Sequence, residues 1–223
     1  MPAEVRDVLK ISIVLVGPGL LNSPEDVRAF SNSVDSDVVP TAEGLVFGFP
    51  SSPAGLGRKL ALQRDRISLD LTPDRTVIER EFPGKGDLDR LADIYEQAVK
   101  NTKSMRDLRA YGYNLELVFD QTSGHSSLRY LGDRLFGSAN FAFEDWVLAG
   151  GSGKLIFDSP AGRWTVLIEP RLNDENSKRV FLNLNLHKVD SQMPELNDVC
   201  CTFAEVWEKA HFFVKHLDQS VSL

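Results

Sequence analysis

One segment of the chain constrains the possible folds more than any other: Arg179 to Val189, with the sequence RVFLNLNLHKV. Apolar Leu182, Leu184 and Leu186 alternate in it with polar Asn183, Asn185 and His187. Successive side chains of a β-strand point to opposite faces of a sheet, so the alternation predicts a strand with one buried and one polar face. Strands of this kind are typical of antiparallel sheets that bury one face and leave the other in water.

Other segments show either the same period or a helical one. RISLDLTP at 66–73 alternates like the first segment, with Ser68 and Asp70 on its polar face. DLDRLADIYEQAVKN at 87–101 and the stretch from about Asp198 to Leu217 instead repeat apolar residues every three or four positions, which predicts amphipathic helices. The stripe of the second helix consists of Val199, Phe203, Val206, Trp207, Ala210, Phe213, Val214 and Leu217.

The two halves of the chain follow one order of elements: a strand, a short helix, several antiparallel strands and a long amphipathic helix. The order covers residues about 9–103 and again about 110–218, with negligible identity between the halves. The pattern predicts one α+β domain over residues 1–223 made of two pseudo-repeats. We expect the duplicated unit to form a curved antiparallel sheet that is covered on one face by helices.

This element order resembles the TATA-binding-protein-like fold, a duplicated unit with two helices and a curved sheet. The segment RAYGYNLEL at Arg109–Leu117 is also similar to the Arg-x-Gly-x-Arg-Tyr-x-Asn strand of an uncharacterised, sporadically distributed family of bacterial proteins, with a loose match at Ala110 and Tyr113. The resemblance implies a fold and a bacterial source. It implies no activity, because one fold serves many functions.

The stretch GGSGK at Gly150–Lys154 invites comparison with a phosphate-binding P-loop. A P-loop needs a glycine where this chain has Leu148, and a serine or threonine where it has Leu155. The flanking residues favour strand, turn and strand over the strand and helix of a P-loop. The stretch therefore predicts a turn or a glycine bulge beside a strand.

Histidine and cysteine spacing favours neither a metal site nor a redox site. His211 and His216 are five residues apart, which separates them by about 140° around a helix. Cys200 and Cys201 are adjacent, and a disulfide between neighbours is strained. We therefore expect reduced cysteines and a cytoplasmic location, and we predict no catalytic residue, no metal ligand and no cofactor.

Charge and hydropathy argue against two further classes of partner. The chain has 25 Lys and Arg against 32 Asp and Glu, a formal net charge of −7, and no basic stripe. This balance predicts no nucleic-acid partner. No apolar run approaches the roughly 18 residues of a membrane span, so we expect no membrane partner either.

The polar face of the sheet is the predicted binding surface. Amide and imidazole groups both donate and accept hydrogen bonds, as do hydroxyls, while a carboxylate accepts them, and recognition of a polar ligand or a protein requires both roles. Glu79 and Glu81 share a strand face, where they could either act as general acid and base or simply be solvated. The predicted binding residues are Ser68, Asp70, Asn183, Asn185 and His187, and the apolar residues expected to border them are Phe47, Phe49, Phe157 and Trp164.

These patterns favour a non-catalytic, cytoplasmic binding or assembly protein that is dimeric. Its expected partner is another protein or a second copy of the chain, and a small polar ligand stays open. A plain solvent-facing sheet surface is the alternative for the polar face. A second class of function is a helix-grip-like pocket protein or enzyme, whose apolar cavity beneath the last helix would be lined by Phe203, Trp207 and Phe213.

Overall fold

A computed structural model gives the structure of the chain. It describes residues 4–17, 19–34, 38–46, 55–103, 107–136, 142–143, 146–147, 151–171 and 178–219. The helices in these ranges are α1 (Pro24–Ser33), α2 (Leu88–Lys100), α3 (Ser127–Phe136) and α4 (Leu196–Gln219). The strands are β1 (Glu4–Val16), β2 (Val38–Val46), β3 (Gly55–Leu62), β4 (Ile67–Thr72), β5 (Arg75–Glu81), β6 (Ala110–Asp120), β7 (Ala142–Phe143), β8 (Trp146–Val147), β9 (Gly153–Ser159), β10 (Gly162–Pro170) and β11 (Arg179–Lys188).

Nine of the described strands belong to one sheet, and β7 pairs separately with β8. The strand order is β2-β3-β4-β5-β1-β6-β11-β10-β9, with antiparallel pairing in the β2–β5 meander, between β1 and β5, and between β9 and β10. The chain thus combines an antiparallel sheet with helices, and the predicted α+β fold class is confirmed.

The chain divides into two compact units. The larger unit comprises Lys10–Asn114 and His187–Glu205, and the smaller comprises Met1–Leu9, Leu115–Leu186 and Val206–Leu223. Because the boundaries fall inside β1, β6, β11 and α4, these four elements contribute residues to both units. The predicted pseudo-repeats of about 9–103 and about 110–218 stay a prediction.

The core of the larger unit consists of the apolar positions of alternating strands and one face of α2. Helix α2 contacts β5 and α1. Burial of one such aliphatic side chain contributes about 1.5–3 kcal/mol, so the alternation decides which face of each strand turns inward. The buried residues include Ile11, Ile13 and Leu15 of β1, Ile67 and Leu69 of β4, and Leu91, Ile94 and Tyr95 of α2.

Helix starts in the larger unit show how local chemistry sets the element bounds. Ser23 is the N-cap of α1, and its hydroxyl accepts a hydrogen bond from the Asp26 amide at 3.0 Å, followed by Pro24 at the first helical position. Asp87 occupies the N-cap position of α2, but its carboxylate bonds to the amide of Gly84 at 2.8 Å and to Arg80 at 3.0 Å rather than to the helix.

The smaller unit buries the inward positions of β10 and β11 together with residues of α3 and α4. Helix α3 contacts β10, and the ammonium of Lys209 lies 6.0 Å from the ring centroid of Trp164. The predicted alternation of β11 is confirmed, since its three leucines are buried while Asn183 and Asn185 are half-buried. The other buried residues include Leu131, Trp164, Val166, Ile168, Ala210 and Val214.

Helix α4 confirms the predicted C-terminal helix but buries a narrower stripe than expected. Trp207 and Phe213 are half-buried, and so is Leu217 near the end of the helix. At 3.6 residues per turn, Trp207 and Phe213 lie about 60° to either side of the centre of the buried stripe, which explains their partial exposure. The stripe itself consists of Val199, Phe203, Val206, Ala210 and Val214.

The glycine-rich stretch does not open a helix. Its first residue, Gly150, lies outside the described residues, and Gly153 begins β9, which continues to Ser159. A Cβ atom on Gly153 would lie 2.8 Å from Cδ1 of Leu135, so the missing side chain lets the leucine of α3 approach the strand. The interpretation of this stretch as strand and turn rather than P-loop agrees with this geometry.

Candidate functional site

Four neighbouring strands of the larger unit place polar side chains on one face of the sheet. The register puts Ser68 of β4 opposite Glu79 of β5, and Glu79 opposite Ser12 of β1. On the other side of β4, Asp70 lies opposite Lys59 of β3. Directly opposite residues of antiparallel strands share a face, so side chains from distant parts of the sequence meet here.

Glu79 lies at the centre of this arrangement. Its Oε1 accepts a hydrogen bond from the Ser68 hydroxyl at 3.2 Å and lies 4.0 Å from Nζ of Lys59. Its Oε2 lies 3.5 Å from Nζ of Lys10, and Lys59 also reaches Oδ1 of Asp70 at 3.6 Å. The Glu79 side chain is 15% exposed, so water screens its charge less than that of the more exposed Asp70.

A neutral pair of hydrogen-bonding groups borders these charges. Ser12 is buried, and its hydroxyl lies 3.4 Å from Nδ2 of half-buried Asn114 on β6. The two lysines and two acids balance in formal charge, so the surface offers donors and acceptors without a net sign. We call this set the polar cluster, and its members are Lys10, Ser12, Lys59, Ser68, Asp70, Glu79 and Asn114.

The structure places two of the five predicted binding residues in the polar cluster and the other three outside it. Ser68 and Asp70 both belong to the polar cluster. Asn183 and Asn185 lie in the smaller unit, half-buried on the face of β11 opposite its leucines. His187 is exposed and belongs to the larger unit.

Sequence reasoning did not identify the two lysines of the cluster. Lys10 and Lys59 join Glu79 through the pairing of β1, β3, β4 and β5, which a reading of single segments does not give. Glu79 was recognised as one of a pair of acids on β5. Its partner in that pair, Glu81, is exposed and lies opposite Lys10.

The prediction that Trp164 borders the polar face is wrong. This side chain is 5% exposed, and Lys209 of α4 lies over its ring, so it faces the helix rather than the polar side. Phe157 is the cross-strand partner of Trp164 and therefore shares its face. Phe47 and Phe49 lie outside the described residues.

Outside the cluster, helix α4 carries two histidines that stack on aromatic rings and two cysteines. The ring of His211 stacks on Trp207 at 5.1 Å and that of His216 on Phe212 at 5.3 Å, so each histidine has its own aromatic partner. No group of three or more His, Cys, Asp or Glu side chains suited to a metal ion occurs within the described residues. Cys200 and Cys201 are free thiols, and burial, followed by the nearby Asp89 and Asp93, raises the pKa of the Cys200 thiol.

Comparisons with known proteins assign neither a family nor a function to this chain. The sequence matches no protein-family model, and no curated protein matches it either. In the described part of the chain, none of the helices combines the length and the apolar character needed to cross a membrane.

Proposed function

We propose that this chain is a non-catalytic binding protein that recognises a protein partner through the polar cluster of its larger unit. The observation that carries the proposal is the half-buried Glu79 carboxylate, shared by Lys10, Lys59 and Ser68. Ion pairs at a protein surface contribute only about 0–1 kcal/mol each to stability. Stabilisation of the fold therefore accounts poorly for four charged side chains on one sheet face, and recognition of a partner accounts for them better.

The chemistry of the cluster fits a protein surface as its ligand. Two ammonium groups, two carboxylates, two hydroxyls and an amide can interact with both charge signs as well as with backbone amides and carbonyls. A phosphate backbone carries one sign of charge, and the acids Asp70 and Glu79 oppose it, as does the net charge of −7. This argues for a protein partner and against a nucleic acid.

The cysteines support the cytoplasmic location that belongs to this proposal. Cys201 is exposed and Cys200 half-buried, and both are free. Exposed thiols persist in the reducing environment of the cytosol and are oxidised outside it. A bacterial source follows from the resemblance of Arg109–Leu117 and stays a prediction.

A photo-crosslinking residue placed at Asp70 tests the proposal in cells of the source organism. We expect a discrete adduct with a protein from this position, and none from the matched control at Asp89, an exposed acid of α2 in the same unit. Adding Lys59→Glu, which removes a cation and places a second acid beside Glu79, should abolish the adduct while circular dichroism still reports a folded chain. Equal adducts from both positions, or an adduct indifferent to Lys59→Glu, would overturn the proposal.

The alternative to a protein partner is a small polar ligand, which a second measurement would detect. Native mass spectrometry of freshly purified protein would then show added mass that denaturation releases and that Lys59→Glu removes. The helix-grip alternative stays a prediction. Phe203 is fully buried with its ring edge-on to Tyr113 at 5.2 Å, and Trp207 stacks on His211, which favours a packing role for both.

A further inference from the structure

Strand β9 ends the sheet of the smaller unit among the strands that the structure describes. Its inner neighbour is β10, in a register that places Thr165 opposite Ile156. Ile156 is 57% exposed and Phe157 48% exposed, which is high for large apolar side chains at the centre of a strand. An edge strand presents unpaired N–H and C=O groups, and exposed apolar side chains make it a surface for pairing with another strand.

The sequence of β9 is complementary to itself when it runs antiparallel to a second copy. With Ile156 opposite Ile156 of the second copy, Lys154 faces Asp158 across the pair, and Leu155 faces Phe157. Lys154 of one copy and Asp158 of the other then lie opposite each other at each end of the contact, and the two Ile156 side chains meet at its centre. A surface that pairs with itself in this way is what a two-fold symmetric dimer needs.

The other registers lose this match. A slip of one residue would place the outward side chains of one copy on the inward face of the other, which breaks the continuity of the sheet faces. A slip of two residues keeps the faces but puts Lys154 or Asp158 opposite Ile156 instead of opposite a charge. The register centred on Ile156 is therefore the favoured one.

We infer that two copies of this chain associate by antiparallel pairing of their β9 strands about Ile156, which extends the sheet across the dimer. Asp158 already pairs with Arg163 at 2.8 Å, and its side chain is 73% exposed, so the carboxylate has room for a second cation. Lys154 is exposed as well. The inference uses residues of the smaller unit that the polar cluster does not contain, so either proposal can fail without the other.

Disulfide trapping tests the register, in a background with Cys200→Ser and Cys201→Ser. Side chains directly opposite in an antiparallel pair have Cβ atoms about 4.5–5.5 Å apart, close enough for mild oxidation to link Ile156→Cys into a covalent dimer. Lys154→Cys should not link to itself, but should form a mixed dimer with Asp158→Cys. The matched control is Thr165→Cys, one strand inward on the same face, which should stay monomeric.

Charge reversal tests the same pairing without a covalent bond. Analytical ultracentrifugation should show a dimer for the wild type and a weaker one for Lys154→Glu, which places like charges opposite each other. Adding Asp158→Lys to that variant should restore the dimer, because the two charges are then exchanged. A folded wild type that stays monomeric up to about 200 µM would overturn the inference. So would a dimer that neither forms the Ile156→Cys bond nor responds to Lys154→Glu.

Discussion

Truncating Phe203 to alanine should strongly destabilise the chain. The side chain is fully buried, and its ring meets the edge of Tyr113 at 5.2 Å, in a T-shaped contact. Removal of a buried phenylalanine costs about 3–5 kcal/mol, of which the aromatic contact accounts for about 0.5–1.5 kcal/mol. For a chain of this size, each kcal/mol lowers the melting temperature by about 2–4 °C, so we expect a decrease of about 6–20 °C.

Phe212 supplies the matched control on the same helix. Its side chain is 66% exposed, and its ring stacks on His216, so Phe212→Ala should change the free energy of unfolding by no more than about 0.5 kcal/mol. Thermal melts followed by circular dichroism and urea titrations would measure both variants. If Phe203→Ala melts within about 2 °C of the wild type, or if Phe212→Ala costs as much, α4 does not pack with Phe203 inward.

Three further outcomes follow from single residues. Gly17→Ala should lower the free energy of unfolding by about 2 kcal/mol or more in urea titrations, because φ is 122° and a Cβ would lie 2.6 Å from the carbonyl oxygen of Asp107. Burial raises the pKa of Tyr113 above its ordinary 10.0, so the phenol of the unfolded chain loses its proton at lower pH than that of the folded chain. The contribution of Tyr113 to the free energy of unfolding should therefore be fully present below pH 10 and decrease above it. As the pH rises above 10, the urea concentration at the midpoint of unfolding should fall less steeply for Tyr113→Phe than for the wild type. The raised pKa of the Cys200 thiol should make its alkylation slower at pH 8 than that of exposed Cys201, and peptide mass spectrometry would show a continuing rise in its rate above pH 9.

The elements of the fold were predictable because their signals are local. The alternation around Leu184 and the Ser23-Pro24 start of α1 each depend on a few consecutive residues. The period of a strand or helix decides which of its residues turn inward, whatever it packs against. The burial of Trp207 was mispredicted because apolar residues flank the stripe of α4 on both sides, and the sequence alone does not give the width of the buried face.

The polar cluster was only half predictable because it depends on non-local pairing. Ser68 and Asp70 follow from the alternation of β4 alone. The lysines join them through the register of β3 with β4 and of β1 with β5, and these pairings bring together residues as far apart as Lys10 and Glu79. Nothing in the segment around Lys59 marks it as a partner of Glu79 until the strand order is known.

The charges of β9 explain how an exposed edge can be selective. Natural sheets protect their edges with charged residues, because an apolar edge pairs with strands of any origin. Lys154 and Asp158 flank the exposed Ile156, so a foreign strand that lacks opposite charges at the matching positions covers Ile156 but leaves Lys154 without a carboxylate opposite it. A second copy of the same strand in the antiparallel register satisfies both charges at once. In the proposed dimer, the two residues that discourage general aggregation are therefore also the ones that pair with the chain's own copy, so that one interface combines attraction with discrimination.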